Sequence, residues 1–168
     1  MGHGRRCRLY PLLFSGQVQA IVDYELGWPT ISKRAGEAGI ALSPLKFADY
    51  GFDIYSNAIL ATDETINTKP DLARRFVKAS LDGMRAAFEN PQAAGEIMKK
   101  AFPMLDAGTA SEEVSIVHTL AEGPDAKQHG LGYISLQKLT KDVIRKTYDV
   151  KADIPVQDTF SNDFLPKQ

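Results

Sequence analysis

The pattern of apolar residues changes its period near residue 62, and this change limits the folds open to the chain. Before that point, three runs are rich in β-branched and aromatic residues and predict strands at 17–24, 42–48 and 54–61. After it, apolar residues recur at helical spacing over most of the remaining chain. The sequence therefore predicts an α/β protein whose strands are crowded into its first third.

Prolines and capping side chains mark where the predicted helices begin. Pro70 opens a long helix, and Pro91 opens another that ends at Pro103. Thr109 and Glu112 have the spacing of a capping box, which predicts Thr109 as the N-cap of a third. Further helices are predicted over 11–15, from Pro29 to near Gly36, and from the N-cap Ser135, and residues 151–168 are expected to wrap over the surface.

Three strands followed by these helices would form a thin sheet with open edges. We therefore expect that something that should cover or extend the sheet is absent from the chain. Leu9–Phe14 is too short for the apolar core of a secretory signal, and Pro11 interrupts it, so we also predict no functional export signal.

The composition excludes several classes of protein. The 168 residues include 20 Lys and Arg against 21 Asp and Glu, and a net charge of −1 gives no electrostatic footprint for nucleic acid. A single cysteine, Cys7, allows no internal disulfide, and no Cys/His cluster has the spacing of a zinc site. No apolar run is long enough to span a bilayer. The chain is predicted to be globular, with no nucleic-acid partner.

Catalytic motifs are absent from the sequence. It contains no nucleophile elbow, phosphate-binding loop, dinucleotide fingerprint or zinc-protease motif. His3, His118 and His129 are far apart and are interpreted as surface or packing residues. Cys7 lies among arginines that would favour its thiolate, but no base accompanies it. The residues therefore give only a thin catalytic inventory, and we predict no catalytic residue, no cofactor and no metal.

Two clusters of aromatic and acidic residues lie where the predicted strands end or bend. Gly51 permits a bend between the second and third strands. Ligands of α/β sheets bind beyond the carboxyl ends of strands, so we expect both clusters to line a crevice. The candidate ligand-binding residues are Asp23, Tyr24, Glu25 and Trp28 in the first cluster and Tyr50, Asp53 and Tyr55 in the second.

The chemistry of these residues suits a small planar nitrogen compound. Aromatic faces stack on flat rings, and carboxylates accept hydrogen bonds from ring amino groups or amines. The same residues are also compatible with a purely structural role, in which the tyrosines are core residues with one hydrated end and the acids cap turns. The residues alone leave both interpretations open.

The motifs around both clusters follow an order found in a known family. The stretches LLFSGQVQAIVDYELGWP, FADYGFDIYSNAILATDETINTKPDLARRFVKASLDGM, and GPDAKQHGLGYIS with DTFSNDFLP resemble the ABC-transporter substrate-binding proteins for nitrate, sulfonate, taurine and thiamine pyrimidine precursors. The similarity covers nearly everything from Leu12 onward and is strongest to the thiamine-pyrimidine-precursor-like branch.

The resemblance implies a two-lobed α/β fold, the type II periplasmic-binding-protein-like fold, present only in its C-terminal portion. Residues 1–11 match nothing in the family and are expected to be disordered. Residues 12–46 would be a remnant of the second lobe. Residues 47–168 would contain the return crossover and the C-terminal part of the first lobe. The N-terminal half and the export signal are expected to be missing.

The resemblance also implies a function without chemistry. The chain would be the solute-binding component of an ABC importer in the periplasm, and it would present a thiamine pyrimidine precursor or similar heterocycle to an inner-membrane permease. All seven candidate residues would face the cleft. Trp28 or a tyrosine would stack on the ring, while Glu25 or Asp23 would accept a hydrogen bond from the exocyclic amine.

Three alternatives stay open at this point. The solute could be nitrate, a sulfonate or taurine, although such anions favour arginines or helix N-termini over acidic clusters. The chain could be a nonfunctional truncated fragment. It could also be an enzyme of thiamine-pyrimidine synthesis, since fungal enzymes of that pathway share the fold, but their iron-site motif is rich in cysteine and this chain has only Cys7.

Overall fold

The computed structural model of the protein describes residues 3–136, 138–139 and 154–167. The helices in that part of the chain are α1 (His3–Phe14), α2 (Trp28–Glu37), α3 (Asp63–Thr68), α4 (Pro70–Glu89), α5 (Pro91–Ala101), α6 (Ala107–Ala121) and α7 (Pro124–His129). Single 3-10 turns cover Glu25–Gly27, Phe47–Tyr50 and Val156–Thr159. Within these described ranges, no helix is long and apolar enough to cross a membrane.

The chain divides into two compact units, which are described separately. The first unit contains Met1–Lys46 and Ala87–His118, and the second contains Phe47–Ala86 and Thr119–Gln168. Each unit is therefore built from two separate stretches of sequence. Helices α4 and α6 each contribute residues to both units.

The predicted strands are not formed. No strand is present among the described residues, which include all of 17–24, 42–48 and 54–61. A strand persists only where its backbone N–H and C=O groups pair with a neighbour, and β-branched residues favour strands because they pack on a half-buried sheet. These runs are mostly exposed instead, and Leu60 keeps 89% of its surface accessible. The strand predictions are wrong for this structure, and it does not confirm the α/β class.

The amino-terminal end also differs from expectation. Helix α1 covers His3–Phe14, where the sequence predicted disorder over 1–11 and a short helix over 11–15. The Tyr10 ring is buried, stacks on Phe14 at a centroid distance of 6.4 Å, and donates a hydrogen bond from its hydroxyl to Asp23 at 2.5 Å. Burial of this aromatic ring stabilises the helix, and local sequence could not reveal its distant partner.

Three helices begin where their prolines predicted. Pro29 lies in the first turn of α2, Pro70 begins α4, and Pro91 begins α5. The Asn90 side chain caps α5 by accepting a hydrogen bond from the Ala93 backbone N–H at 3.0 Å. Proline fixes φ near the helical value, and the N–H that it lacks would have no intrahelical acceptor in the first turn. A proline therefore marks the start of a helix from local sequence alone.

The predicted N-cap of α6 is wrong by three residues. Helix α6 begins at Ala107, and the Asp106 carboxylate accepts from the Thr109 backbone N–H at 2.9 Å and from the Thr109 hydroxyl at 2.7 Å. A carboxylate at this position satisfies a helix N–H and also opposes the positive end of the helix dipole, which a threonine cannot do. The hydrogen bonds from Thr109, with a smaller contribution from the nearby Lys33 charge, lower the pKa of Asp106.

Two short helices lie where the sequence predicted none. Thr62 caps α3 by accepting from the Thr65 backbone N–H at 3.2 Å. Helix α7 begins at Pro124, inside a segment interpreted as a polar loop, and ends before Gly130, which has φ +97°. Helices of six residues are too short to show a periodic apolar pattern, so both escape detection.

The predicted helix from Ser135 falls mostly outside the described residues. Residues 137 and 140–153 lie outside the described ranges, and the two residues at 135–136 are not helical. The backbone N–H of Leu139 donates to the Ser135 carbonyl at 3.2 Å. Of the expected surface segment 151–168, only 154–167 is described, and it contains the last 3-10 turn.

In the second unit, side chains hold an extended segment in place. The Asn162 amide accepts from the Ile134 backbone N–H and donates to the Ile134 carbonyl, both at 2.9 Å. Nearby, Gly132 has φ +89°, and a Cβ there would lie 3.1 Å from Leu81 and 3.3 Å from Leu165. Only glycine combines that backbone angle with such close packing. The segment is thereby fixed against the buried Leu81 of α4.

In the first unit, α5 approaches α6 through a glycine. Gly95 is buried, and a Cβ there would overlap the Ala107 carbonyl and lie 3.1 Å from the Ser111 nitrogen. The neighbouring atoms belong to the α6 backbone, so they cannot move away by a change of rotamer as a side chain could. The contact between the two helices therefore depends on glycine, which has no side chain, at position 95.

We expect Gly95→Ala to destabilise the chain by about 1–3 kcal/mol, because the added methyl separates two helix backbones. Urea unfolding measures the change. Gly83→Ala is the matched control, since Gly83 is also a helical glycine but has open space around its Cβ position. Alanine there should stabilise α4 by about 0.5–1 kcal/mol. Equal effects at both positions would contradict the packing account.

We expect Asp106→Asn to lower stability near neutral pH, with a loss that disappears in acid. The folded state lowers the pKa of Asp106, so its charge stabilises the fold above the unfolded pKa, and this contribution is lost as pH falls through the folded pKa. The gap between the variant and the parent should close below about pH 4. Urea unfolding across pH measures it, and a gap that is constant with pH would refute the assignment.

Candidate functional site

The first candidate cluster surrounds the 3-10 turn that leads into α2. Asp23 accepts from the Tyr10 hydroxyl with one carboxylate oxygen and from the Tyr24 backbone N–H at 2.8 Å with the other. Tyr24 is 55% exposed, and Trp28, the first residue of α2, is half-buried. Glu25 forms an ion pair with Lys46 at 2.5 Å. We call Asp23, Tyr24, Glu25, Trp28 and Lys46 the Glu25 cluster.

The contacts of the Glu25 cluster divide its members by role. Both Asp23 oxygens accept hydrogen bonds within the fold, so Asp23 positions the turn. Glu25 lies at the surface with a lysine beside it, and Tyr24 presents its ring to solvent. The cluster therefore contains an exposed tyrosine that precedes a lysine-paired carboxylate in the sequence, with Asp23 as the structural support of the turn.

The second candidate cluster forms around Lys138. The Lys138 ammonium lies 2.8 Å from an Asp53 carboxylate oxygen and 5.4 Å from the centroid of the Tyr55 ring. The Tyr55 hydroxyl accepts a hydrogen bond from the Ser135 backbone N–H at 2.9 Å. A cation over a tyrosine face is attracted by the ring quadrupole. We call Asp53, Tyr55 and Lys138 the Lys138 cluster.

Tyr50 lies apart from the Lys138 cluster in a turn of its own. It ends the 3-10 turn Phe47–Tyr50 and is exposed. Gly51 follows with φ +84°, so the bend predicted at this glycine is confirmed. Phe47 and Phe52 close the turn, with rings edge to face at 6.1 Å. Two of the three predicted residues of the second unit, Asp53 and Tyr55, thus share a contact with Lys138.

The seven predicted residues are divided between the two units, four in the first and three in the second. Neither lysine, Lys46 or Lys138, is among the predicted residues. Those residues are acids and rings near predicted strand ends, whereas each lysine is distant in sequence from its carboxylate. Lys46 stands one residue before the FADY motif, a weak signal that a search for charge partners could have used.

Two of the three histidines pack against aromatic rings. His118 stacks on Phe88 at 4.6 Å, and His129 stacks on Tyr133 at 4.2 Å. Their interpretation as packing residues is confirmed, whereas the side chain of His3 lies outside the described part of the structure. Among the described residues, no group of three or more His, Cys, Asp or Glu side chains could hold a metal ion.

Two open hollows in the first unit lie away from the predicted residues. One lies between α2 and α6, where Lys33 comes within 3.8 Å of Asp106, and the other lies between α5 and α6. Both are lined mainly by small and polar residues, and neither contains a member of the Glu25 cluster. Neither hollow is lined by an aromatic residue.

Comparison with known proteins gives the family. Residues 6–94 match the family described as NMT1/THI5 like. The match covers more than half of the 168 residues and includes all seven candidate residues, and the chain belongs to this family. The family has a periplasmic-binding-protein-like fold. The match begins earlier than Leu12, where the resemblance was expected to start.

A curated relative is the riboflavin-binding protein RibY of Chloroflexus aurantiacus. The two are 29% identical over 133 residues, which cover 76% of this chain and 38% of that protein. The chain thus spans well under half the length of this relative. No solved structure matches the chain.

We expect Tyr55→Phe to destabilise the second unit by about 1 kcal/mol, because the buried Ser135 segment loses the acceptor of its N–H. Hydrogen exchange at the Ser135 amide should accelerate. Tyr50→Phe removes the hydroxyl of an exposed tyrosine in the same unit and serves as the control. Unchanged exchange in the Tyr55 variant would show that this hydrogen bond does not hold the segment.

Proposed function

We propose that the chain is a solute-binding part of an ABC importer and that its solute is a small flat heterocycle. The observation that carries the proposal is that the exposed rings of Tyr24 and Tyr55 lie in clusters with lysine-paired carboxylates. The family membership and the riboflavin-binding relative support it. Each cluster is proposed as a surface that contacts solute.

The chemistry of the clusters favours a heterocycle over a small anion. Aromatic pairs contribute about 0.5–1.5 kcal/mol beyond the area they bury, so an exposed tyrosine face is a suitable platform for a flat ring. Nitrate, sulfonates and taurine need unopposed positive charge, whereas Lys46 and Lys138 each have a carboxylate within ion-pair distance. Riboflavin and thiamine pyrimidine precursors are the two candidates within the heterocycle class.

The proposed role involves binding and release without a chemical step. A permease can distinguish loaded from empty protein only if the solute shifts the conformational population of the protein. The proposed partners are therefore the solute and an ABC permease of the inner membrane, and the proposed location is the periplasm. The family and the name of the relative point to a binding protein in preference to an enzyme of pyrimidine synthesis.

A calorimetric screen of the 168-residue chain tests the proposal. The panel contains riboflavin, hydroxymethylpyrimidine, taurine, an alkanesulfonate and nitrate. We expect one of the two heterocycles to bind and the three anionic or zwitterionic compounds not to bind. Binding of an anion alone would overturn the heterocycle class, and no binding by any compound would favour the nonfunctional fragment.

Variants of the Glu25 cluster test its part in binding. We expect Tyr24→Ala to weaken heterocycle binding about tenfold, equivalent to about 1.4 kcal/mol, because it removes a stacking face. Glu25→Gln tests the paired carboxylate in the same assay. Phe102→Ala is the control, since Phe102 is another exposed aromatic residue of the first unit and lies outside the cluster. An equal loss with Phe102→Ala would contradict a specific role for Tyr24.

A further inference from the structure

We propose that residues 54–61 pair as an antiparallel strand with the same residues of a second copy of the chain, with Asn57 facing Asn57 at the two-fold axis. The hydrogen bonding and exposure of this run carry the inference, together with the order of its side chains. Such a dimer goes beyond solute binding and does not depend on it.

The backbone of residues 54–61 is open to pairing. Within the described part of the chain, no backbone N–H or carbonyl of this run forms a hydrogen bond. Residues 55–61 are exposed and Ile54 is half-buried, so a strand from another molecule can reach these groups. The run contains no charged residue and no proline, which are the residues that commonly protect an open strand edge from association.

The second unit buries little apolar surface within a single copy. Among its described residues, Leu81 is the one buried apolar side chain. In the run itself, Leu60, Ile59 and Tyr55 keep 89%, 49% and 36% of their surface accessible. Burial of apolar surface is the main gain that offsets the conformational entropy lost on folding. A second copy that covers this run therefore stabilises the unit that has the smaller core.

The order of side chains in the run makes it complementary to itself. In an antiparallel pair with two-fold symmetry, one residue faces its own copy, and residues equally far from it in sequence face each other. With Asn57 at the axis, Tyr55 faces Ile59 of the second copy and Ile54 faces Leu60. The four large apolar residues of the run then meet one another, as an aromatic residue beside a β-branched one and as two aliphatic residues.

The neighbouring registers match less well. An axis at Ser56 puts Tyr55 opposite Asn57, and an axis at Ala58 puts Tyr55 opposite Ala61. In both cases large apolar residues face polar or small ones. The match at Asn57 is the reason to choose a second copy as the occupant, since an unrelated polypeptide would match this order of residues only by coincidence.

The expected dimer is weak because the paired run is short. Interfaces of standard size bury about 800 Å² on each partner and use about 20–30 residues a side. The run at 54–61 supplies fewer residues, although the exposed rings of Tyr50 and Phe52 precede it closely. We therefore expect a dissociation constant of about 1–100 μM.

Disulfide crosslinking in a Cys7→Ser background tests the register. We expect Asn57→Cys to give a covalent dimer on mild oxidation, because directly opposite residues of an antiparallel pair have Cα atoms about 4.5–5.5 Å apart, which a disulfide can bridge. Ala61→Cys is the matched control, since residue 61 is also exposed and lies on the same face of a strand. Its two copies would be about 27 Å apart, so it should crosslink at least about tenfold more slowly.

Sedimentation equilibrium of the 168-residue chain tests the interface without a crosslink. We expect Asn57→Lys to weaken the dimer at least about tenfold, because two lysines would then lie directly opposite each other. Met104→Lys adds the same charge at an apolar residue that is 98% exposed in the first unit, and it should leave the dimer unchanged. Circular dichroism of the diluted variants checks that each keeps the fold of the parent.

Selective crosslinking of Asn57→Cys together with a dimer weakened by Asn57→Lys would support the inference. A parent chain that stays monomeric up to about 1 mM would overturn it, because the run would then remain unpaired. Equal crosslinking of the two cysteine variants would overturn the antiparallel register. A dimer weakened by Met104→Lys and not by Asn57→Lys would place the interface elsewhere and would also overturn the inference.

Discussion

The Asn162 amide binds both backbone groups of Ile134, and the geometry of the second unit depends on this pairing. Regular backbone hydrogen bonding in the described residues is confined to helices and turns, so a half-buried extended segment such as 133–135 needs side chains or water to satisfy its polar groups. Asn162 and the Tyr55 hydroxyl supply that function at Ile134 and Ser135. These bonds hold Ile134 and Ser135 and, through Ser135, the Tyr55 ring that lies beneath the Lys138 ammonium.

Pairing with lysine changes how the acidic clusters are interpreted. From sequence, the acidic clusters favoured a neutral or cationic heterocycle over an anion. In the structure, Glu25 lies beside Lys46 and Asp53 beside Lys138, so the local charge is balanced at both places. Balanced pairs beside aromatic faces favour neutral rings with polar edges. The charge balance thus bears on the proposed solute, and the proposed binding role is the same as the one expected from the sequence.

Predictions from sequence succeeded where the signal was local. Pro70 and Pro91 place helix starts through their fixed φ, and Gly51 places a bend through its positive φ. Predictions failed where the structure depends on a residue distant in sequence, or where two neighbouring residues could fill the same role. The run at 54–61 has the composition of a strand, but no neighbouring strand pairs with it among the described residues. Asp106 takes the place of Thr109 as the N-cap of α6, because a negative charge binds the start of a helix more strongly.

The candidate site was recovered in part for the same reason. Its aromatic and acidic residues could be identified from the sequence, and Asp53 and Tyr55 both contact Lys138. The lysines were invisible because a single sequence does not reveal which charges pair across long separations.

The most direct test of the account is an amide correlation spectrum of the ¹⁵N-labelled chain titrated with riboflavin. The account predicts shifts at Tyr24, Tyr55 and Lys138, whereas shifts confined to the hollow around Glu96 and Ser111 would contradict it.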